Sequence, residues 1–179
     1  MNSRLFRGLA GVALVASAVL PATPALAEPA PYVRVILDSI VAHSTQEGGG
    51  DEIRLKVKGP GIVPFSSRTV QIWPANEWYP PVGVRTGVCY SPDNVACPPG
   101  MPVQTNGGGT PNRPAFPATG ALAYIDLWEI DDFDPDDLIL GGSVRLTPRE
   151  GFSRQTIRMR TGDADYEVTF TLAPSETPL

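Results

Sequence analysis

The chain has little of what most nucleic-acid binders, metalloenzymes and helical proteins need. Among 179 residues there is one histidine, His43, and there are two cysteines and two lysines, Lys56 and Lys58. No long basic block occurs, and acids outnumber bases 19 to 14 for a formal charge of −5. That balance argues against nucleic acid as the main partner. A zinc site built on His and Cys finds too few ligands. Sustained helical periodicity is also missing, and 20 prolines and 18 glycines interrupt the chain. Since proline costs about 3 kcal/mol inside a helix, a coiled coil or helical bundle is excluded as the main architecture.

The single long apolar run lies at the start. Arg4 and Arg7 precede an uncharged stretch, Leu9 to Leu20, and Ala25 and Ala27 then form an A-x-A pattern. The run is too short to span a bilayer. It reads as a secretory leader over 1–27, cleaved to leave one domain over 28–179. The product carries 12 basic residues against 19 acidic ones, a formal −7. With no second spanning run, it is expected to be extracellular, without an integral membrane segment. Twelve of the fourteen basic residues are arginine, a bias associated with GC-rich bacterial genomes. In an oxidising compartment the even pair Cys89 and Cys97 is expected to form a disulfide.

Alternation of apolar and polar residues predicts eight short strands in a two-sheet antiparallel β-sandwich, with a core over about 32–172. The segments are 32–42, 51–58, 68–73, 84–90, 121–130, 139–146, 154–161 and 166–172. The clearest is Asp51–Lys58, where Ile53, Leu55 and Val57 alternate with Arg54, Lys56 and Lys58. In the last segment Tyr166, Val168, Phe170 and Leu172 share one face. Two glycines in 139–146 suggest a bulge. Residues 91–120, rich in Pro and Gly, read as a long loop. Residues 173–179 read as a frayed tail.

Chemistry concentrates in one segment. Asp126, Glu129, Asp131, Asp132, Asp134, Asp136 and Asp137 fall within twelve residues with no base among them. Like charges so crowded repel and raise one another's pKa. A hard divalent cation offsets this, and Ca²⁺ takes six to eight oxygens. Glu129 and Asp131 project from one face of a strand, and the turn at Phe133–Pro135 brings Asp136 or Asp137 back. The solvated acidic loop is the rival reading. A second acidic turn, Glu47 to Glu52, carries three glycines that could bring Glu47 and Asp51 to one point.

Leu127–Asp131 followed by Asp136–Ile139 resembles the third loop of C2-type domains, the calcium-binding β-sandwiches of protein kinase C and synaptotagmin. Glu129, Asp131 and Asp137 match its three acidic positions, and Asp51 looks like the acid that ends its first loop. The resemblance implies a Ca²⁺ module with Glu129, Asp131 and Asp137 as main ligands. Asp51 and Glu47 would stand opposite, with Asp136 and Asp132 in reserve. Thr45 stands where the family places its other first-loop acid, so either Glu47 substitutes or fewer ions bind. The family's membrane contacts would fall to Phe133 and the Arg54–Lys56–Lys58 stripe. A solvated strand face and an inward phenylalanine are the favoured reading of those residues.

Other candidates are weaker. His43 reads as a strand-end residue rather than part of a catalytic triad. Trp73, Trp78 and Tyr79 read as core or edge packing rather than a sugar platform. The expected role is binding or structural, not enzymatic. The alternatives are an acid-catalysed hydrolase of extracellular polymer and a metal-free, disulfide-stapled inhibitor or adhesion module using residues 74–118. A membrane surface, the cell wall or another protein are open as partners.

Overall fold

The computed structural model describes residues 30–76, 82–92, 96–105, 107–130, 137–147 and 150–178. These contain eleven strands: β1 (Tyr32–Ser44), β2 (Asp51–Pro60), β3 (Ser67–Trp73), β4 (Val82–Val84), β5 (Cys89–Tyr90), β6 (Val103–Gln104), β7 (Ala115–Pro117), β8 (Leu122–Glu129), β9 (Asp137–Arg145), β10 (Ser153–Arg160) and β11 (Asp165–Ser175). The expected leader over 1–27 lies outside the described residues.

One sheet has the order β10-β11-β1-β5-β6, with β7 also on β1. The other runs β3-β2-β8-β9, with β4 also on β2. All pairings are antiparallel except the short β5–β6 pair. The expected two-sheet sandwich is therefore present, and the additional strands have a simple origin. β3 and β4 both pair with β2, at Leu55–Pro60 and at Asp51–Ile53. They are one edge strand broken between Trp73 and Val82. β5 and β7 likewise pair with the two ends of β1. The single strand expected over 84–90 is thus two, separated by a turn, and the loop expected over 91–120 contains β6 and β7.

The core is the set of inward positions that alternation picks out. Ile53, Leu55 and Val57 of β2 and Tyr166, Val168, Phe170 and Leu172 of β11 are all fully buried. In β1 the pairing shifts at Asp38, an extra residue between Leu37 and Ser39. In β9 the extra residue is Ile139, between Leu138 opposite Trp128 and Leu140 opposite Leu127. The bulge thus precedes the two glycines rather than falling on them. Gly142 matters for packing instead. A Cβ there would collide with Ile157 Cγ2 of β10, so its bareness lets the sheets meet on that side. Ala173 and Ser175, expected in a frayed tail, are buried and pair with Arg34 and Tyr32. The tail is strand because β1 begins early enough to receive it.

The opposite side is closed by the 91–114 excursion. Its Pro102 and Gln104 carbonyls accept from the Cys89 and Ser91 amides. It then crosses to the second sheet. Gly108 O accepts from the Ala75 amide at 2.7 Å, and the Asn112 amide donates to Ile72 O at 2.9 Å. It returns to the first sheet through Pro114 O, which accepts from the Val35 amide at 2.8 Å. Cys89 and Cys97 are disulfide-bonded, with Cα atoms 5.9 Å apart, as expected.

Candidate functional site

The connections at 45–50, 85–88 and 161–164 lie at one end of the sandwich, and the β8–β9 connection leaves from the same end. Asp51 opens β2 on the inward face, and Glu129 closes β8 on the inward face. Both are buried, at 0% and 7% exposure. Glu129 pairs with Ile53, and the Ile130 amide donates to Glu52 O at 2.8 Å, so the two strands remain together up to the loop.

Asp51 is occupied on both oxygens. Its Oδ1 accepts from the Glu47 amide and its Oδ2 from the Gln46 amide, each at 3.0 Å. The Tyr166 hydroxyl, from the facing sheet, donates to Oδ2 at 2.5 Å. Of the roughly four lone-pair sites on a carboxylate, three are taken. Burial, this hydrogen bond and the nearby charges of Asp51 and Glu129 all raise the Tyr166 pKa, so the phenol remains protonated. Asp51 therefore ties the first acidic turn to both sheets. Glu47, expected to meet Asp51 through its carboxylate, meets it through its backbone amide, and its side chain is exposed.

The neighbouring turns are also joined by hydrogen bonds. Thr45 Oγ1 lies 3.0 Å from Thr86 Oγ1, and the Thr45 amide donates to Thr86 Oγ1 at 3.2 Å. Gly50, at φ +105°, passes so near β4 that a Cβ would lie 2.7 Å from Val84 O. Thr45, standing where the resembled family places an acid, thus joins two loops.

Of the other expected ligands, Asp137 opens β9 directly across from Glu129 in the ladder. Asp131, Asp132 and Asp136 lie outside the described residues, as does Phe133. Among the described residues no group of three or more His, Cys, Asp or Glu side chains converges as a metal site. The structure thus brings Asp51 and Glu129 to one face at one end, with Asp137 next to Glu129 in the ladder. The donors are hard oxygens, which suits Ca²⁺ rather than a softer metal. Asp51 has little capacity left for it.

Remaining candidates resolve simply. His43 is near the end of β1, 3.8 Å from Glu167. Trp73 is buried against Tyr90, ring centroids 4.0 Å apart, and its Nε1 donates to Gly107 O at 3.3 Å. It is core, not platform; Trp78 and Tyr79 lie outside the described residues. On the outer face Lys56 Nζ lies 5.0 Å above the Trp128 ring, so the basic stripe is partly packed rather than merely solvated. Asp126 faces it, its pKa raised by burial and drawn back by Lys58 and Lys56. Sequence reasoning missed Tyr166 as a polar partner; its place at the inward start of β11 was the available signal.

No family model matches the chain, and no curated protein matches it in sequence. Among solved structures it is similar to that of CC2D1B, described as coordinating ESCRT-III activity during the mitotic reformation of the nuclear envelope. The TM-score is 0.54 at 10% identity, over 87% of this chain and 58% of that one. It is also similar to a C2 domain of plant extended synaptotagmin 1, with TM-score 0.44 and 10% identity over 83% of this chain and 98% of that one. A third is human GIVD cytosolic phospholipase A2, with TM-score 0.44 and 8% identity over 82% of this chain and 17% of that one. The likeness is one of fold: the chain is a C2-like β-sandwich.

Proposed function

We propose that the protein is a secreted Ca²⁺-binding module whose acidic end holds the ion, with a binding or structural role rather than a catalytic one. The observation that carries this is the ladder position of Glu129. It stands opposite Asp137 and on the same inward face as Asp51, at the mouth of a segment with seven carboxylates and no base. Glu129, Asp131 and Asp137 are the main ligands, with Asp136 in support. Asp51 positions the first turn through its three hydrogen bonds and Glu47 lies at the rim. The leader supports export. Engagement of Asp51 by three neutral donors disfavours it as an acid catalyst, which must carry and release a proton.

Thermal melts in Ca²⁺ and in chelator test the site. At a hundredfold excess over its dissociation constant, a bound ion stabilises by about 2.7 kcal/mol. The wild type is expected to melt higher in Ca²⁺, and Glu129→Gln and Asp131→Asn to lose that increment. A midpoint indifferent to Ca²⁺ in all three refutes the reading.

A further inference from the structure

The outward face of the second sheet is a lattice whose rows the register fixes. Across β2 and β8, Arg54 stands beside Trp128, Lys56 beside Asp126 and Lys58 beside Tyr124. Gln71 of β3 flanks Lys56, and Gly141 of β9 flanks Asp126 on the other side. Tyr124 is 52% exposed. It lies four residues from Trp128 on the same face, about 13 Å along an extended strand, with Asp126 between them. The face therefore reads ring, carboxylate, ring. Gly141 leaves the space beside the carboxylate open, since a Cβ there would lie 3.1 Å from Asp126 Oδ1. A shallow groove of about 230 Å³ continues from Tyr124 between Pro60 and Leu122, at the base of the β2–β3 hairpin.

Hydrogen-bonding capacity on this face is unused. Among the described residues, four side-chain polar atoms are buried without a partner: Arg34 Nε, Arg54 Nε, Gln71 Oε1 and Trp128 Nε1. The last three belong to this one face, as two donors and an acceptor. Buried polar groups are nearly always paired, and an unpaired one carries its desolvation penalty in full. A hydroxyl that reaches these atoms removes that penalty. Lys56 is the movable part: its Nζ lies 5.0 Å from the centroid of the Trp128 ring, at the end of a flexible stem. Swinging it aside bares the indole.

These features select a partner. The charges on the face nearly balance, with Arg54, Lys56 and Lys58 against Glu52 and Asp126. A polyanion would gain little and would confront Asp126. A protein surface would meet charges where interfaces have an apolar, charge-depleted centre. A neutral polyhydroxy chain fits instead. The C–H faces of its rings stack on Tyr124 and Trp128, and its hydroxyls donate to Asp126 and Gln71 and accept from Arg54 and Lys56. Sites of this kind combine aromatic surface with a few fixed polar groups.

We propose that the outward face of the β3-β2-β8-β9 sheet binds an uncharged polysaccharide through Tyr124, Asp126 and Trp128, without Ca²⁺ and independently of the acidic end. The test is native affinity electrophoresis of the protein, in chelator, through gels containing a soluble β-glucan, xylan, mannan or arabinogalactan, with dextran sulfate as the charged comparison. At least one uncharged polymer is expected to retard the wild type. Tyr124→Ala and Asp126→Asn are each expected to raise the dissociation constant about tenfold, the scale of one aromatic contact or one hydrogen bond to a charged group. Because Tyr124 is exposed, the melting temperature of Tyr124→Ala should match wild type. Saturating polymer should shift the tryptophan emission of wild type and leave that of Trp128→Phe unchanged. Absence of retardation by all four uncharged polymers overturns the proposal. So does retardation that Tyr124→Ala and Asp126→Asn both retain in full, or an emission shift that persists in Trp128→Phe. Retardation by dextran sulfate alone also overturns it and assigns the face to an anion.

Discussion

Asp51 and Tyr166 join the two sheets through one hydrogen bond across the interior. Tyr166→Phe leaves the packing and removes the donor to a buried carboxylate. The expected cost is about 1.5–3 kcal/mol, the range for hydrogen bonds to charged groups, read by urea denaturation. The same pair sets an alkaline limit. The folded pKa of Tyr166 is raised, so its contribution is fully present below the unfolded value of about 10. As pH rises past that value, the unfolded chain releases a proton that the folded chain retains, and stability falls. The decline should be shallower in Tyr166→Phe. Alternation along β11 made the burial of Tyr166 legible, since it shares a face with Val168, Phe170 and Leu172. Its partner was not legible, because Asp51 lies 115 positions away and nothing local marks the pair. The acidic character of Asp51 points to an ion, while its three neutral donors, two from the turn before it and one from β11, carry no mark in the sequence.

Among elements, length decided what could be read. β1, β2 and β11 show several cycles of alternation, and their inward residues supply much of the core. β5 and β6 have two residues each, β4 and β7 three. A period of two cannot be recognised in so few positions. These short strands exist because β1 and β2 offer ladder positions to whatever chain lies alongside. The disulfide helps hold one such segment in place. Cys89→Ser with Cys97→Ser should cost about 2–3 kcal/mol in the chain-entropy model. Amide exchange should rise first over 98–112, where the excursion bridges the sheets. At the other side, Gly142→Ala must push against Ile157, and overpacking of this kind costs about 1–3 kcal/mol in a thermal melt.

At the scale of the whole molecule, the two ends differ in chemistry. Buried Asp51 and Glu129 mark one; exposed Ile62, Val63 and Phe65 mark the other. The acidic end was visible in the sequence because its carboxylates cluster within one segment. The apolar end was not, because Ile62, Val63 and Phe65 in sequence resemble residues on their way into a core. Only the hairpin's left-handed turn at Phe65 directs that ring outward.

The interruptions in β3–β4 and β5–β7 also bear on how this protein survives at high concentration. An unbroken rim of free amides and carbonyls is a template on which another chain can add a strand and start a fibre. Here the rim on that side, made of β3, β4, β6 and β7, comes in runs of two, three and seven residues, and the bridging excursion consumes some of the backbone groups between them. A stranger's strand would find no continuous ladder there to copy.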